Sequence, residues 1–274
     1  TGSGKTHTVL GSPGTPGILP RFIDDLYNWS EVTGGLKNVV TVRAYMLELY
    51  QDSLIDLLAG PSEGKRKLDI KRDPSSGIVH VAGAELANAD SPEALRAILD
   101  KGLQGRKVAS TKMNSSSSRS HLIFSVIIQN HVPATNTTTM GKMTFVDLAG
   151  SERVGRSGAI NDETRLNEAK AINKSLSALG DVVQALTTNQ QFVPYRNHKL
   201  TQLMADSLGG NSKCCMIVNV SPLTTDADES KNSLEYASRV KNVTNEASKS
   251  LETRLVTKLK KEIEKLKAQV AGGK

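Results

Sequence analysis

The alternation of apolar and polar positions divides this chain into strands and helices. "KNVVTVRAYMLELY", residues 37–50, is rich in β-branched and aromatic side chains and predicts a strand. "DSLIDLL" (52–58) predicts a short helical turn. "SPEALRAILDKGLQGRK" (91–107) has a Ser N-cap, a Pro at the first helical position and apolar spacings of 3–4, so it predicts a helix. "HLIFSVIIQNHV" (121–132) and "GKMTFVDLAG" (141–150) predict strands. A long helix is predicted over 164–186, and the shorter "HKLTQLMADSL" (198–208) over one more. "KCCMIVNVSP" (213–222) predicts a buried strand and "ADESKNSLEYASRVKNV" (227–243) a helix. Strands interleaved with helices, without an internal repeat, predict an α/β sandwich around a central sheet.

The pattern changes after Lys249. Leu251, Leu255, Leu259, Ile263, Leu266 and Val270 recur at spacings of 4 and 3 along one helix face. Six basic residues stand against three acidic ones between Glu252 and Lys267. This reads as a basic amphipathic tail helix over 250–274, outside a globular unit over 1–249. A coiled-coil seam, a strip docking on the core and a target for an acidic helix-gripping partner all remain open for it.

Composition narrows the class. The formal net charge of +7 implies an acidic partner, whether nucleic acid, anionic lipid or protein. No run of eighteen apolar residues is present, and a glycine-rich loop stands where a signal peptide would carry its apolar core. The two cysteines, Cys214 and Cys215, are adjacent in an apolar run, which suits reduced thiols better than a disulfide framework.

Three motifs carry chemistry. "TGSGKTHT" supplies the second half of a phosphate-binding loop, G-x-x-x-x-G-K-S/T. Glycines there let backbone N–H groups close on phosphate oxygens, Lys5 neutralises the β- and γ-phosphates, and Thr6 offers its hydroxyl to Mg²⁺. A flexible glycine-rich start is the plain alternative. "NSSSSRSH" (114–121) leads directly into an apolar strand, and its hydroxyls suit Mg²⁺ and an attacking water; a Ser-rich linker is the alternative. "FVDLAGSE" (145–152) ends a strand in Asp147 and follows it with Gly150, which suits a Mg²⁺-linked carboxylate and a backbone N–H aimed at the γ-phosphate. Its alternative is an ordinary strand exit with Asp as a turn former.

The three motifs occur in the order that a phosphate loop and two sensor loops require. Together with "INKSLSALGDVV", "VPYRNHKLTQLMADSLGGNSK" and "NVSP", they resemble the kinesin motor domain over nearly the whole globular part. "AYMLELYQDSLIDLL" and "NSLEYASRVKNV" look most like the C-terminal-motor, minus-end-directed kinesins, among them plant calmodulin-regulated members. The resemblance implies a phosphate-loop NTPase: a three-layer sandwich with a central mixed sheet and helices on both faces.

It also implies a microtubule-stimulated ATPase using ATP and Mg²⁺. By resemblance, Gly2, Ser3, Gly4, Lys5, Thr6 and His7 line the ATP site, with His7 beside adenine. Thr6 and Ser118 ligate Mg²⁺, and Asp147 reaches it through water. Ser117 and Gly150 contact the γ-phosphate region, and Arg119 and Glu152 pair as a latch between the sensor loops. The acidic partner becomes tubulin, met by Arg153, Arg156, Lys170, Lys174, Arg196 and Lys199. Cytoskeletal localisation, a calmodulin-like calcium sensor at 251–270 and dimerisation through regions outside this sequence complete the expectation.

Departures accompany the match. "NKSL" places Leu176 where the guanine-reading N-K-x-D pattern needs Asp, which disfavours a GTPase. Asp162 and Glu163 set acid beside the tubulin face and are expected to weaken track affinity. The family's opening strands, adenine-clamping segment and first loop glycine have no counterpart here. The 274-residue chain is therefore expected to bind ATP poorly and to aggregate. A track-binding module without turnover is the competing reading, and a partner-binding role centred on the tail helix a third.

Overall fold

The computed structural model describes residues 2–34, 38–60, 66–74, 76–112, 117–151, 163–209, 212–245 and 263. In chain order the helices are α1 (Lys5–Leu10), α2 (Ile18–Gly34), α3 (Pro92–Lys112), α4 (Glu163–Thr187), α5 (Lys199–Leu203), α6 (Ala205–Leu208) and α7 (Ala227–Lys241). The strands are β1 (Gly11–Ser12), β2 (Thr15–Pro16), β3 (Val39–Tyr50), β4 (Ser53–Asp56), β5 (Asp69–Arg72), β6 (Val79–Ala82), β7 (Ala87–Asn88), β8 (Ser120–Val132) and β9 (Thr137–Asp147). The main sheet runs β4-β3-β8-β9, with β7 also on β3; β1–β2 and β5–β6 are separate ribbons. Every described pair is antiparallel, so no parallel pair of the expected mixed sheet falls among the described residues.

Two cores explain why the chain settles in three layers. Strand side chains alternate between faces. Val42, Ala44 and Met46 of β3, with Leu122, Phe124 and Val126 of β8, pack against Leu19, Ile23 and Leu26 of α2 and Leu95, Ile98 and Leu99 of α3. The intervening Tyr45, Leu47 and Leu49, with Ile123 and Ile127, pack against Leu179 and Val182 of α4 and Leu200 and Leu203 of α5. Because both faces of β3 and β8 are covered, these strands read as nearly continuous apolar runs.

The start of α3 follows the predicted chemistry: Ser91 Oγ accepts from the Ala94 N–H at 3.1 Å. The helix then lies very close to the β3–β4 hairpin. A Cβ at Gly105 would overlap the Leu57 carbonyl, so only glycine admits this approach. That closeness carries the next residue, Arg106, to the buried ends of the strands.

Three expectations need correction. "DSLIDLL" is not a helical turn: residues 53–56 form β4, paired from Tyr50↔Ser53 to Leu47↔Asp56. Gln51 takes a left-handed φ of 52° in the tight turn, and the Asp56 carboxylate accepts from Leu58 N–H at 2.9 Å and Glu85 N–H at 2.6 Å. Its apolar spacing fits either period, and the open ladder of β3 decides for strand. "KCCMIVNVSP" forms no strand and joins no sheet among the described residues, and Met216, Ile217 and Val220 are exposed rather than buried. Cys214 and Cys215 are free and exposed. "HKLTQLMADSL" divides into α5 and α6 at Met204.

Candidate nucleotide site

The site gathers at the ends of β8 and β9. Gly4, at φ 99°, turns the loop into α1, a conformation costly for any residue with a Cβ. Its carbonyl accepts from Thr8 N–H at 2.8 Å and Thr8 Oγ1 at 3.0 Å, and Asn219 Nδ2 donates to Thr8 Oγ1 at 2.9 Å. The 213–222 segment thus braces the loop from one side. Gly2 is exposed, Ser3 and Lys5 are half-buried, and Thr6 and His7 lie in the exposed first turn of α1.

On the other side, Thr6 Oγ1 donates to Asp147 Oδ2 at 2.6 Å. Asp147 is buried at the end of β9, and behind it lies a polar cluster that sequence reasoning missed. Arg106 Nε donates to Glu48 Oε1 at 3.3 Å, and its terminal nitrogens reach the Ser120 carbonyl at 3.2 Å and Asp147 Oδ2 at 3.9 Å. Ser120 Oγ donates to Glu48 Oε1. All four residues are buried. A lone Glu within "AYMLELY" was the available signal, since a charge inside an apolar strand needs a buried partner.

Asp147 Oδ1 is buried and has no hydrogen-bond partner among the described residues. A free carboxylate oxygen beside a threonine hydroxyl suits a hard, oxygen-seeking cation. No cluster of three or more His, Cys, Asp or Glu is found among the described residues.

Within the second motif, Ser117–Arg119 forms a single 3₁₀ turn that leads into β8. Gly150 N–H donates to the Ser118 carbonyl at 2.9 Å, which joins the two predicted sensor loops through their backbones. Arg119 Nη1 donates to Glu168 Oε2 of α4 at 2.5 Å, and Tyr50 OH donates to Glu168 Oε1 at 2.6 Å. Burial first, then the Glu168 carboxylate, pushes the Tyr50 phenol up to about 12, so it remains a donor. Glu152, the expected partner of Arg119, lies outside the described residues, as do Arg153 and Arg156.

The remaining basic residues divide. Lys170 and Lys174 stand on the exposed side of α4, opposite the buried Glu168, Ile172, Ser175 and Leu179. Arg196 is exposed in the 3₁₀ turn Tyr195–Asn197. Lys199 is half-buried, and its ammonium donates to the Asp52 carbonyl in the β3–β4 turn. The tail beyond residue 245 falls outside the described residues except for Ile263.

This geometry belongs to a known family. The kinesin motor domain matches residues 1–243, and the chain is a member of that family. It is 49% identical over 269 residues to kinesin-like protein KIN-14I of Oryza sativa subsp. japonica, covering 98% of this chain and 21% of that protein. It is 49% identical over 261 residues to KIN-14E of Arabidopsis thaliana, covering 95% and 20%. The chain therefore spans about a fifth of the length of these relatives. Among solved structures, the C-terminal motor and motor homology domain of Kar3Vik1 matches with a TM-score of 0.75 and 38% identity, covering 87% of this chain and 61% of that one. A KIF14 dimer with AMP-PNP in complex with a microtubule matches at 0.78 and 33% identity, covering 93% and 74%.

Proposed function

We propose that this chain is the motor core of a microtubule-stimulated kinesin ATPase that moves toward microtubule minus ends. The observation that carries this reading is the meeting of Thr6, Asp147 and the Gly150–Ser118 bond at one end of the sheet, with the buried Asp147 Oδ1 lacking a hydrogen-bond partner among the described residues. Membership of the kinesin family and the likeness to KIN-14 proteins support the track and the direction.

In this reading Gly2, Ser3, Gly4 and Lys5 hold the phosphates of ATP and His7 lies beside its base. Thr6 and Ser118 hold Mg²⁺, with Asp147 oriented toward it by Thr6 and Arg106. Bound Mg²⁺ supplies neutralising charge to the β- and γ-phosphates. The protein's own contribution is positional. Ser117 and the Gly150 N–H read the γ-phosphate end, and Arg119 exchanges between Glu168 and Glu152 as the sensor loops open and close. Lys170, Lys174, Arg196 and Lys199, joined by Arg153 and Arg156, form the tubulin face. Residues 250–274 form a separate basic helix that takes an acidic calcium sensor of the calmodulin type. A microtubule-bound, cytoskeletal location follows from the same reading.

A track-binding module without turnover is the second reading, and the observation that favours it is the exposed basic side of α4, where Lys170 and Lys174 stand opposite the buried face. Steady-state MgATP hydrolysis by the full-length protein, with and without microtubules, separates the two readings. The motor gives stimulated turnover, whereas the binding module co-sediments without hydrolysing ATP.

A further inference from the structure

His121 is 3% exposed and belongs to none of the groups assigned above to nucleotide, metal or track. It stands on β8 with both ring nitrogens engaged. Ala149 N–H donates to Nδ1 at 3.1 Å, and Nε2 lies 2.8 Å from Ser175 Oγ of α4. Ser175 Oγ in turn donates to the Ile172 carbonyl at 2.6 Å.

These contacts permit one proton arrangement. A backbone N–H can only donate, so Nδ1 is bare and the neutral ring carries its proton on Nε2. The ring therefore donates to Ser175, whose own hydrogen is committed to Ile172. Each atom in the chain Ala149–His121–Ser175–Ile172 has one role, and the row has a fixed direction. Burial, then the charges of His198 and Arg106, hold the imidazole down to about 3, which keeps it neutral.

The two ends of this row matter. Ala149 adjoins Gly150, whose N–H is bonded to the Ser118 carbonyl of the other sensor loop. Ser175 adjoins Lys174, exposed on the outer side of the same helix. An α-helix rises 1.5 Å per residue. A slide of α4 by a single residue moves Ser175 by about half the length of the 2.8 Å contact and so strains that hydrogen bond or breaks it. The rigid ring must follow the helix or release it, and Ala149 feels either event.

We propose that His121 is a positioning residue that links α4 to the Ala149–Gly150 peptide, so that a shift of the helix on its track is delivered to the phosphate-sensing backbone. This rests on the motor reading above. Ser175→Ala in the full-length protein removes the link while leaving every proposed nucleotide contact in place. The expected result is basal ATPase and microtubule affinity within about twofold of the parent, with maximal stimulation reduced about fivefold, the effect of one neutral hydrogen bond. Ser175→Thr keeps the hydroxyl and restores stimulation, and Ser175→Cys, with a weak donor of similar shape, falls between. Parental stimulation in Ser175→Ala, or a parallel loss of basal and stimulated rates, overturns the proposal.

Amide hydrogen exchange at Ala149 tests the link without a track. Protection drops in Ser175→Ala and returns in Ser175→Thr. Unchanged protection overturns the link even if the parent shows no stimulated turnover, whereas absent stimulation alone counts against the motor reading.

Discussion

Arg119 and Glu168 are joined at 2.5 Å, and that contact ties the 117–119 turn to α4. Tyr50 holds the other oxygen of the same carboxylate at 2.6 Å. Glu168 is 2% exposed, and these two donors satisfy its buried carboxylate. Tyr50→Phe removes one hydrogen bond to a charged acceptor and should cost about 1.5–3 kcal/mol in urea unfolding. Glu168→Ala frees Arg119 from α4 and should lower microtubule-stimulated turnover at least tenfold while nucleotide still binds. Full stimulation in Glu168→Ala would remove this contact from the coupling.

Another buried ion pair joins β9 to α6. Lys142 of β9 meets Asp206 of α6 at 2.5 Å, with side chains 5% and 9% exposed. Together they occupy both backbone groups of Val79: Asp206 accepts from its N–H at 2.8 Å, and Lys142 donates to its carbonyl at 2.9 Å. Asp206→Ala leaves a buried ammonium uncompensated and should destabilise the fold by about 3–5 kcal/mol. A denaturation midpoint equal to the parent's would show that Lys142 finds water instead.

Acid should weaken the fold well before carboxylates titrate. His121 lies at about 3 in the folded chain against its ordinary 6.5. Between those values the unfolded chain binds a proton that the folded chain refuses, so stability is complete above 6.5 and falls with pH toward 3. The slope is about 1.4 kcal/mol per pH unit, or about 2 kcal/mol between pH 6.5 and 5. Burial also holds His198 low, which adds in the same direction. Urea unfolding at pH 7 and pH 5 should show the drop, and His121→Asn should reduce it. Greater stability at pH 5 would contradict the neutral, buried assignment.

Exposed Lys170, Lys174 and Arg196 should act together on the track. Their replacement by Ala should weaken co-sedimentation with microtubules at low salt, and the difference should shrink as salt rises. Lys199→Ala should also loosen the β3–β4 turn, because its ammonium holds the Asp52 carbonyl. Unchanged low-salt binding in the triple variant would take these residues out of the interface.

The three layers were legible in the sequence because helices α3 and α4 and strands β3, β8 and β9 carry strong periodicity or long apolar runs. The Gly4 turn into α1 and the strand ending in Asp147 were legible because backbone geometry demands particular residues at those places. The DSLIDLL segment misled because four apolar positions in seven fit a helix or a hairpin equally, and the free edge of β3 was invisible. Glu48, Arg106, Glu168 and the His121–Ser175 contact were hidden for another reason. Each is an ordinary residue whose partner lies dozens of positions away, and only the folded sheet brings the two together. A strand over 213–222 was expected from its composition, but a strand also needs a ladder partner, and the segment has none among the described residues.

A working motor needs a phosphate site that answers to the track. The deciding measurement is steady-state MgATP hydrolysis by the full-length protein across a microtubule titration. A motor should show slow basal turnover that rises at least tenfold to a plateau, is abolished by Thr6→Ala, and depends on Mg²⁺. Microtubule binding with no hydrolysis at any microtubule concentration would contradict it and leave a track-binding module in its place.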